Sequence, residues 1–263
     1  DQILADQMKK EYRIIFLPGD DKFDEQLFAM SSIKGNDYRN IWSYFIEGGP
    51  ENGVNLLKYI LYLNSGMRKP PAAKKISSVG IYWPDFNEIN AETLQTKWRI
   101  KKRPVIAITF YSALLQSGQT EVIDALITAL EKDYNCIPIH SKSFKDKKNR
   151  DVTRFLLKKY NPISVINLTG FSLSGISSSK TIFDDARRPV FQVILSSMSE
   201  HEWQHSSKGL NNRDIIMSIS LPEIDGRIIT KTIAFKEEIS FDKITQTKLL
   251  EYIPHDFGIN YIC

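Results

Sequence analysis

The chain has 263 residues, a formal net charge of +4, 42% hydrophobic residues and 25% charged residues. That balance is ordinary for a globular protein with a proper buried core, and so small a positive charge gives no support to nucleic acid as a partner. No apolar run approaches the roughly 20 residues that a transmembrane helix needs, and Cys136 and Cys263 have neither metal-ligand nor redox spacing, which fits a reducing, cytoplasmic setting.

The opening DQILADQMKKEY is amphipathic and charged, unlike a secretory signal. RIIFLPG (13–19) reads as a buried strand ended by Pro18 and Gly19, and DDKFDEQLFAMSS as a helix whose Asp20, Asp21 and Asp24 cap its start better than they hold a hard cation. Asp37 to Phe45 keeps helical spacing until GGPENG (48–53) breaks it. Pro50 and Glu51 then open another helix, with Val54, Leu56, Leu57, Ile60, Leu61 and Leu63 as a broad apolar face. These elements, 1–65, read as the end of a preceding α/β unit, and 66–103, beginning GMRKPPAAKK, as an extended linker or strap. Basic clusters at 74–78, 97–103 and 142–150 read as solvated loops.

From Pro104 the pattern becomes regular. VIAITFY (105–111), CIPIHS (136–141), ISVINLTG (163–170) and PVFQVILSS (189–197) read as strands, with helices at 120–134 and 149–160 between the first three. Apolar strands alternating with amphipathic helices predict right-handed βαβ units. The fold class is therefore α/β: a flavodoxin-like parallel sheet over 104–212, helices on both faces, and an antiparallel extension over 213–263. Ligands gather at the carboxyl ends of such strands, which singles out Tyr111, Ser112, His140, Gly170 and Gln192 by position.

LPEIDGR (221–227) stands between Ile215, Ile216, Met217 and Ile219 on one side and Ile228, Ile229, Ile233 and Phe235 on the other. Asp-Gly between apolar runs predicts a hairpin turn, while Glu223, Asp225 and Arg227 are also candidate ligand-binding groups. HEWQH (201–205) matches the HExxH zinc-protease pattern, with His201 and His205 as ligands and Glu202 as base; its Ser-rich flank and the SSKG that follows favour a surface turn around Trp203. FSLSGISSSK (171–180) could offer N–H groups to a phosphate but has no GxGxxG or GxxxxGK[ST] pattern.

Six pieces occur in order: LPGDDKFDEQLFAMSS (17–32), SYFIEGGPENGVNLLKYIL (43–61), VGIYWPD (79–85), ITFYSALLQSGQTEVIDALITALE (108–131), PVFQVILSSMSEHEWQHSSKGL (189–210) and SLPEIDGRI (220–228). Together they resemble the large porphyrin-binding subunit of class I metal chelatases, especially the cobaltochelatase CobN branch, with the magnesium chelatase large subunit as a relative. The resemblance runs through almost the whole chain. Tyr82, Pro84 and Asp85 match a Tyr/His-Pro-Asp piece of that family, and Gln192, Trp203, Gly209 and Leu210 also match it. Ser112 stands where the family pattern ends Phe-Tyr-Arg, so an arginine is missing.

The resemblance implies ATP-driven insertion of a divalent metal, cobalt foremost, into a tetrapyrrole or corrinoid precursor. The metal is a substrate, no covalently bound cofactor is implied, and separate AAA+ and integrin-like subunits hydrolyse ATP and couple it. The family's Gly-Thr-His-Gly run, which carries its strongest catalytic candidates, does not occur here. The chain is accordingly expected to be a segment of a longer polypeptide, inactive by itself, whose ligand-binding candidates are Glu223, Asp225, Arg227, Tyr111, His140 and Gln192. The alternatives are a haem-handling relative that removes or carries iron, a module docking the AAA+ partner through surfaces such as Lys97–Arg103, and, most distant, a zinc hydrolase.

Overall fold

A computed structural model describes residues 12–174, 181–184, 187–243 and 246–263, and only the backbone of Asn87. The opening segment up to residue 11 and residues 175–180 of the Ser-rich loop lie outside the described residues. The chain divides into two compact units. One holds the described residues up to Ile76 together with Gln116–Gly118, and the other holds Ser77–Leu115 and Gln119–Cys263.

In the first unit α1 (Glu25–Met30) sets Phe28 against Tyr38 of α2 (Gly35–Glu47), their rings 4.9 Å apart, and α2 and α3 (Pro50–Ser65) pack around Ile41, Tyr44 and Tyr59. Asp24 caps α1, its carboxylate accepting from the N–H groups of Gln26 and Leu27 at 2.8 and 3.0 Å. The predicted strand at 13–19 is extended but joins no sheet. Its polar groups are met instead by Ser31 and Ser32, whose hydroxyls accept from the N–H of Phe16 and of Ile14 at 2.8 and 2.6 Å, while Ile15 and Leu17 pack on the core cluster.

The GGPENG corner is built for tightness. Gly48 and Gly49 have φ of 62° and 83°, and a Cβ on Gly48 would meet the Gln116 carbonyl oxygen at 2.5 Å. Pro50 starts α3, where a missing N–H costs nothing. Asn52, one turn on, donates to the carbonyls of Gly48 and Lys74 and accepts from the Lys74 N–H. Glu47 accepts from the Ile76 N–H at 3.0 Å. The strap is therefore extended yet stapled to α2 and α3.

These bonds decide which side of α3 is buried. Asn52, Asn55 and Tyr59 face inward, and the Tyr59 hydroxyl donates to Asp37 at 2.7 Å and accepts from Asn40 at 2.8 Å. The apolar face expected to be buried is instead left largely open at Val54, Leu57, Ile60 and Leu61.

The second unit is built on an eight-stranded sheet. Its strands are β1 (Val79–Trp83), β2 (Asn87–Ile89), β3 (Val105–Tyr111), β4 (Asn135–Ser141), β5 (Ser164–Asn167), β6 (Val190–Ser196), β7 (Ile228–Asp242) and β8 (Thr247–Pro254). The spatial order is β2-β1-β4-β3-β5-β6-β7-β8. The parallel strands β4-β3-β5-β6-β7 follow the flavodoxin-like order 2-1-3-4-5. Every residue of β4 and β5 is buried, so both faces of the sheet centre are covered.

Residues 79–97, read as part of the strap, add β1 and β2 to the sheet edge, followed by α4 (Ala91–Lys97). The β1–β4 ladder stops at Ile139 because Pro138 has no N–H to continue it. The connecting helices are α5 (Ser112–Gln116), α6 (Glu121–Leu130) and α7 (Lys147–Tyr160).

After β6 come α8 (Glu200–His205), α9 (Asn212–Ile215), a π-helical turn at Ile216–Ser220 and α10 (Leu221–Ile224). The expected hairpin at LPEIDGR is thus a helix end: Ile215 to Ile219, read as strand, is helical, Pro222 sits in the first turn of α10, and Gly226 (φ 69°) turns the chain into β7. β7 joins β6 in parallel and pairs antiparallel with β8, so the antiparallel part of the extension is the β7–β8 ribbon. The closing NYIC belongs mostly to α11 (Asp256–Ile262).

Candidate functional site

In a 2-1-3-4-5 sheet the chain connections reverse direction between the first and third strands, which opens a crevice at their carboxyl ends. Here those strands are β3 and β5. Tyr111 ends β3, and the loop 168–174 leaves β5 beside it.

That loop is held from three directions. Asp225 accepts from the Ser172 hydroxyl (2.6 Å), the Leu173 N–H (2.6 Å) and the Ser174 N–H (3.1 Å). Arg227, 4% exposed, donates through one terminal nitrogen to the Thr169 carbonyl (3.1 Å) and to Gln192 Oε1 (2.8 Å). Its other terminal nitrogen donates to the Phe171 carbonyl (3.1 Å) and to Asp225 Oδ2 (2.7 Å). From α9 and the π-helical turn comes the third tie: the Met217 carbonyl accepts the Phe171 N–H at 2.7 Å. A π-turn shifts the helix ladder and leaves carbonyls free for such use. Gly170 lies so close that an added Cβ would stand 3.1 Å from the Met217 oxygen.

Below the loop a buried network crosses three strands. Thr109 donates to Asn167 Oδ1 at 2.7 Å, Asn167 Nδ2 donates to Gln192 Oε1 at 2.7 Å, and Thr169 donates to Asn167 at 2.9 Å. Tyr111 donates from its hydroxyl to the Gly170 carbonyl at 3.3 Å.

The charges follow this geometry. Burial opposes the Asp225 charge, but the donors from Ser172, Leu173 and Ser174 outweigh it and hold the carboxyl below its ordinary range. Burial pulls the Arg227 guanidinium down, with Asp225 acting against that pull. Burial raises the Tyr111 phenol, opposed by Arg227 and Thr169.

The result is a pre-ordered rim with one strained, outward side chain. Phe171 adopts φ 67°, a conformation costly for a bulky residue, while both its N–H and its carbonyl are tied down and its ring is 47% exposed.

Four of the six candidates from sequence therefore converge: Tyr111, Gln192, Asp225 and Arg227. Glu223 is exposed on α10 and takes no part in the network. His140 lies on the opposite face of the sheet, because it stands level with Phe110 whereas Asn167 stands level with Thr109. There its Nδ1 is 2.8 Å from the Ser112 hydroxyl, and its Nε2 is 2.9 Å from Glu88 Oε1 without hydrogen-bond alignment. Burial disfavours the Glu88 charge, but His140 and the Ser77 N–H and hydroxyl prevail and keep it below the usual carboxylate range.

Gly80 makes room for this group: a Cβ there would stand 2.7 Å from His140 Nε2 and 2.8 Å from Glu88 Oε1. Ser112 and His140 are fully enclosed, so a longer side chain at 112 would have to displace the histidine.

HEWQH forms a short helix rather than a turn. Ser199 and Glu202 make a capping box, which engages the carboxylate that a zinc protease would use as base. The His201 and His205 rings stack at 4.2 Å, and among the described residues no group of three potential ligands is positioned to hold a metal. Nor is any helix among them long and apolar enough to cross a membrane.

Sequence reasoning missed Glu88, Gly80, Thr109 and Asn167. The last two carried a signal, being polar residues inside apolar strands. The first two carried none, since only the β1–β2–β4 register brings them to His140.

The six ordered motifs thus lie on a flavodoxin-like sheet with a stapled loop at its switch point. The CobN/Magnesium Chelatase family model matches residues 42–263, and the chain belongs to that family. It is 35% identical over 260 residues to the aerobic cobaltochelatase subunit CobN of a Sinorhizobium species, covering 95% of this chain and 20% of that protein. To a magnesium-chelatase subunit of Chlorobaculum parvum it is 26% identical over 216 residues, 73% of this chain and 17% of the relative. Among solved structures, the catalytic subunit of cobaltochelatase from Mycobacterium tuberculosis has the same fold, with a TM-score of 0.71 at 19% identity, over 99% of this chain and 22% of that one. The chain thus spans about a fifth of the length of these relatives.

Proposed function

We propose that the chain is a macrocycle-positioning part of a CobN-type large subunit, acting in insertion of cobalt into a corrinoid precursor. The observation that carries this reading is the match along 95% of the chain to a protein named aerobic cobaltochelatase subunit CobN. The name of that relative, at 35% identity, supports cobalt as the metal.

The reaction exchanges one divalent metal ion for two pyrrole protons, so the protein must hold a flat ring, accept protons and release a loosely held metal. We assign the first task to the rim at the carboxyl ends of β3 and β5. Phe171 offers its ring as an apolar contact for the macrocycle. Asp225, Arg227, Gln192 and Tyr111 are positioning residues, because their hydrogen bonds are spent on the loop itself.

ATP hydrolysis and its coupling belong in this reading to AAA+ and integrin-like partner subunits, and the complex works in the cytoplasm. Metal insertion is assigned to groups outside this chain. The test is a mixture of the chain, a free-base tetrapyrrole, cobalt, ATP and partner subunits, followed by absorption: the free-base spectrum persists, and formation of the cobalt chelate by this chain would contradict the assignment.

A further inference from the structure

α3 carries the apolar face that the fold leaves open. Val54, Leu57 and Leu61, 50%, 64% and 46% exposed, recur at helical spacing and lie within one narrow stripe. Met67, 55% exposed, continues it past the helix end. Isolated exposed apolar residues need no explanation, but a continuous stripe does.

Beside the stripe is a cavity of about 650 Å³ lined by Leu61, Met67, Lys58, Arg68, Lys69 and the proline pair of the strap. Its charged lining residues are all cations. Lys69 is held over the rings of Tyr59 and Tyr62 at 5.6 and 5.9 Å, which fixes one positive charge at the margin of the stripe. Because Asn52 and Tyr44 staple the strap to α2 and α3, this margin is a formed surface and not a loose tail.

A second exposed apolar area, on the β7–β8 ribbon, carries both signs of charge: there Lys248 pairs with Glu238 at 2.8 Å. One sign of charge along one side of an apolar stripe selects a partner by complementarity.

We infer that this face of α3, with Lys58, Arg68 and Lys69 along its edge, is the docking surface for an acidic amphipathic helix of a partner protein. The apolar side of that helix covers Val54, Leu57, Leu61 and Met67, and its carboxylates meet the three cations, the helix-in-groove mode. The surface is independent of the macrocycle rim and differs from Lys97–Arg103. There Lys97 lies 3.4 Å over the Phe86 ring, and Arg103 already donates to the Glu131 carbonyl.

The test uses the 263-residue chain and three fluorescent helical peptides of about 18 residues. One has a leucine face with glutamate margins, one the same face with lysine margins, and one the acidic composition with scattered leucines. Anisotropy titrations are expected to show the first binding about tenfold or more tighter than the others, and weakening as salt rises. Both L57D/L61D and K58E/R68E/K69E should lose about tenfold in affinity, with melting curves like the parent because all five positions are exposed. Equal binding of the lysine or scattered peptide, absence of binding, or binding that neither variant changes would each overturn the proposal. No tetrapyrrole is present, so the result leaves the macrocycle reading to its own test.

Discussion

Arg227 is the residue on which the rim depends. Arg227→Gln would leave Asp225 buried with its charge unpaired, and loss of one partner of a buried pair costs about 3–5 kcal/mol. Urea unfolding should show that loss, and Arg227→Lys should recover little of it, because an ammonium cannot replace a fork that spans Thr169, Phe171, Gln192 and Asp225. Acid acts on the same pair. The folded-state pKa of Asp225 is depressed, so its contribution is present above the unfolded value, about 3.9, and is lost as pH falls through the folded one. Asp225→Asn should therefore melt well below the parent near neutrality, and the gap should narrow below about pH 4.

On the other face of the sheet, Gly80→Ala forces a Cβ onto His140 and Glu88. We expect a loss of about 1–3 kcal/mol, smaller in a background where His140 is already alanine, as a double-mutant cycle would measure. Of the rim candidates, Tyr111 could be read in the sequence as a strand end and Asp225 and Arg227 as polar groups of LPEIDGR, whereas Gln192, picked as a carboxyl strand end, lies near the amino end of β6. The Gly80–Glu88–His140 group could not, because strand register rather than local pattern creates it.

Among the elements, α3 shows where periodicity misleads. Its apolar residues have helical spacing, yet the buried side is set by the bonds of Asn52 and Tyr59. Leu57→Gln with Leu61→Gln should change stability by no more than about 0.5 kcal/mol, whereas Asn52→Ala should cost about 1–3 kcal/mol by orphaning strap and corner groups. Chemical denaturation of the two variants separates these outcomes. LPEIDGR misled differently: Asp-Gly between isoleucines imitates a hairpin, but Pro222 suits the first turn of a helix better than the middle of a strand. The regular βαβ stretch from Pro104 was legible because helix and strand periods alternate cleanly there. The extended segment at 13–18 was not, because two serine hydroxyls replace the sheet ladder that its composition suggests.

Across the whole molecule, the family match spans most of the chain and includes the rim at the carboxyl ends of β3 and β5. The proposal that this rim positions a tetrapyrrole rests on Phe171, kept in a strained backbone conformation by the Met217 carbonyl and the Arg227 guanidinium. Glycine relieves that strain, so Phe171→Gly should leave stability unchanged or slightly raised. The most direct measurement is an absorption titration of a free-base tetrapyrrole with the native chain and with Phe171→Gly, each first shown to be folded by its melting curve. Saturable binding by the native chain is expected, with affinity weakened about tenfold by the substitution, the scale of one lost aromatic contact. Equal affinity of the two proteins, or no binding by the native chain, would contradict the proposal.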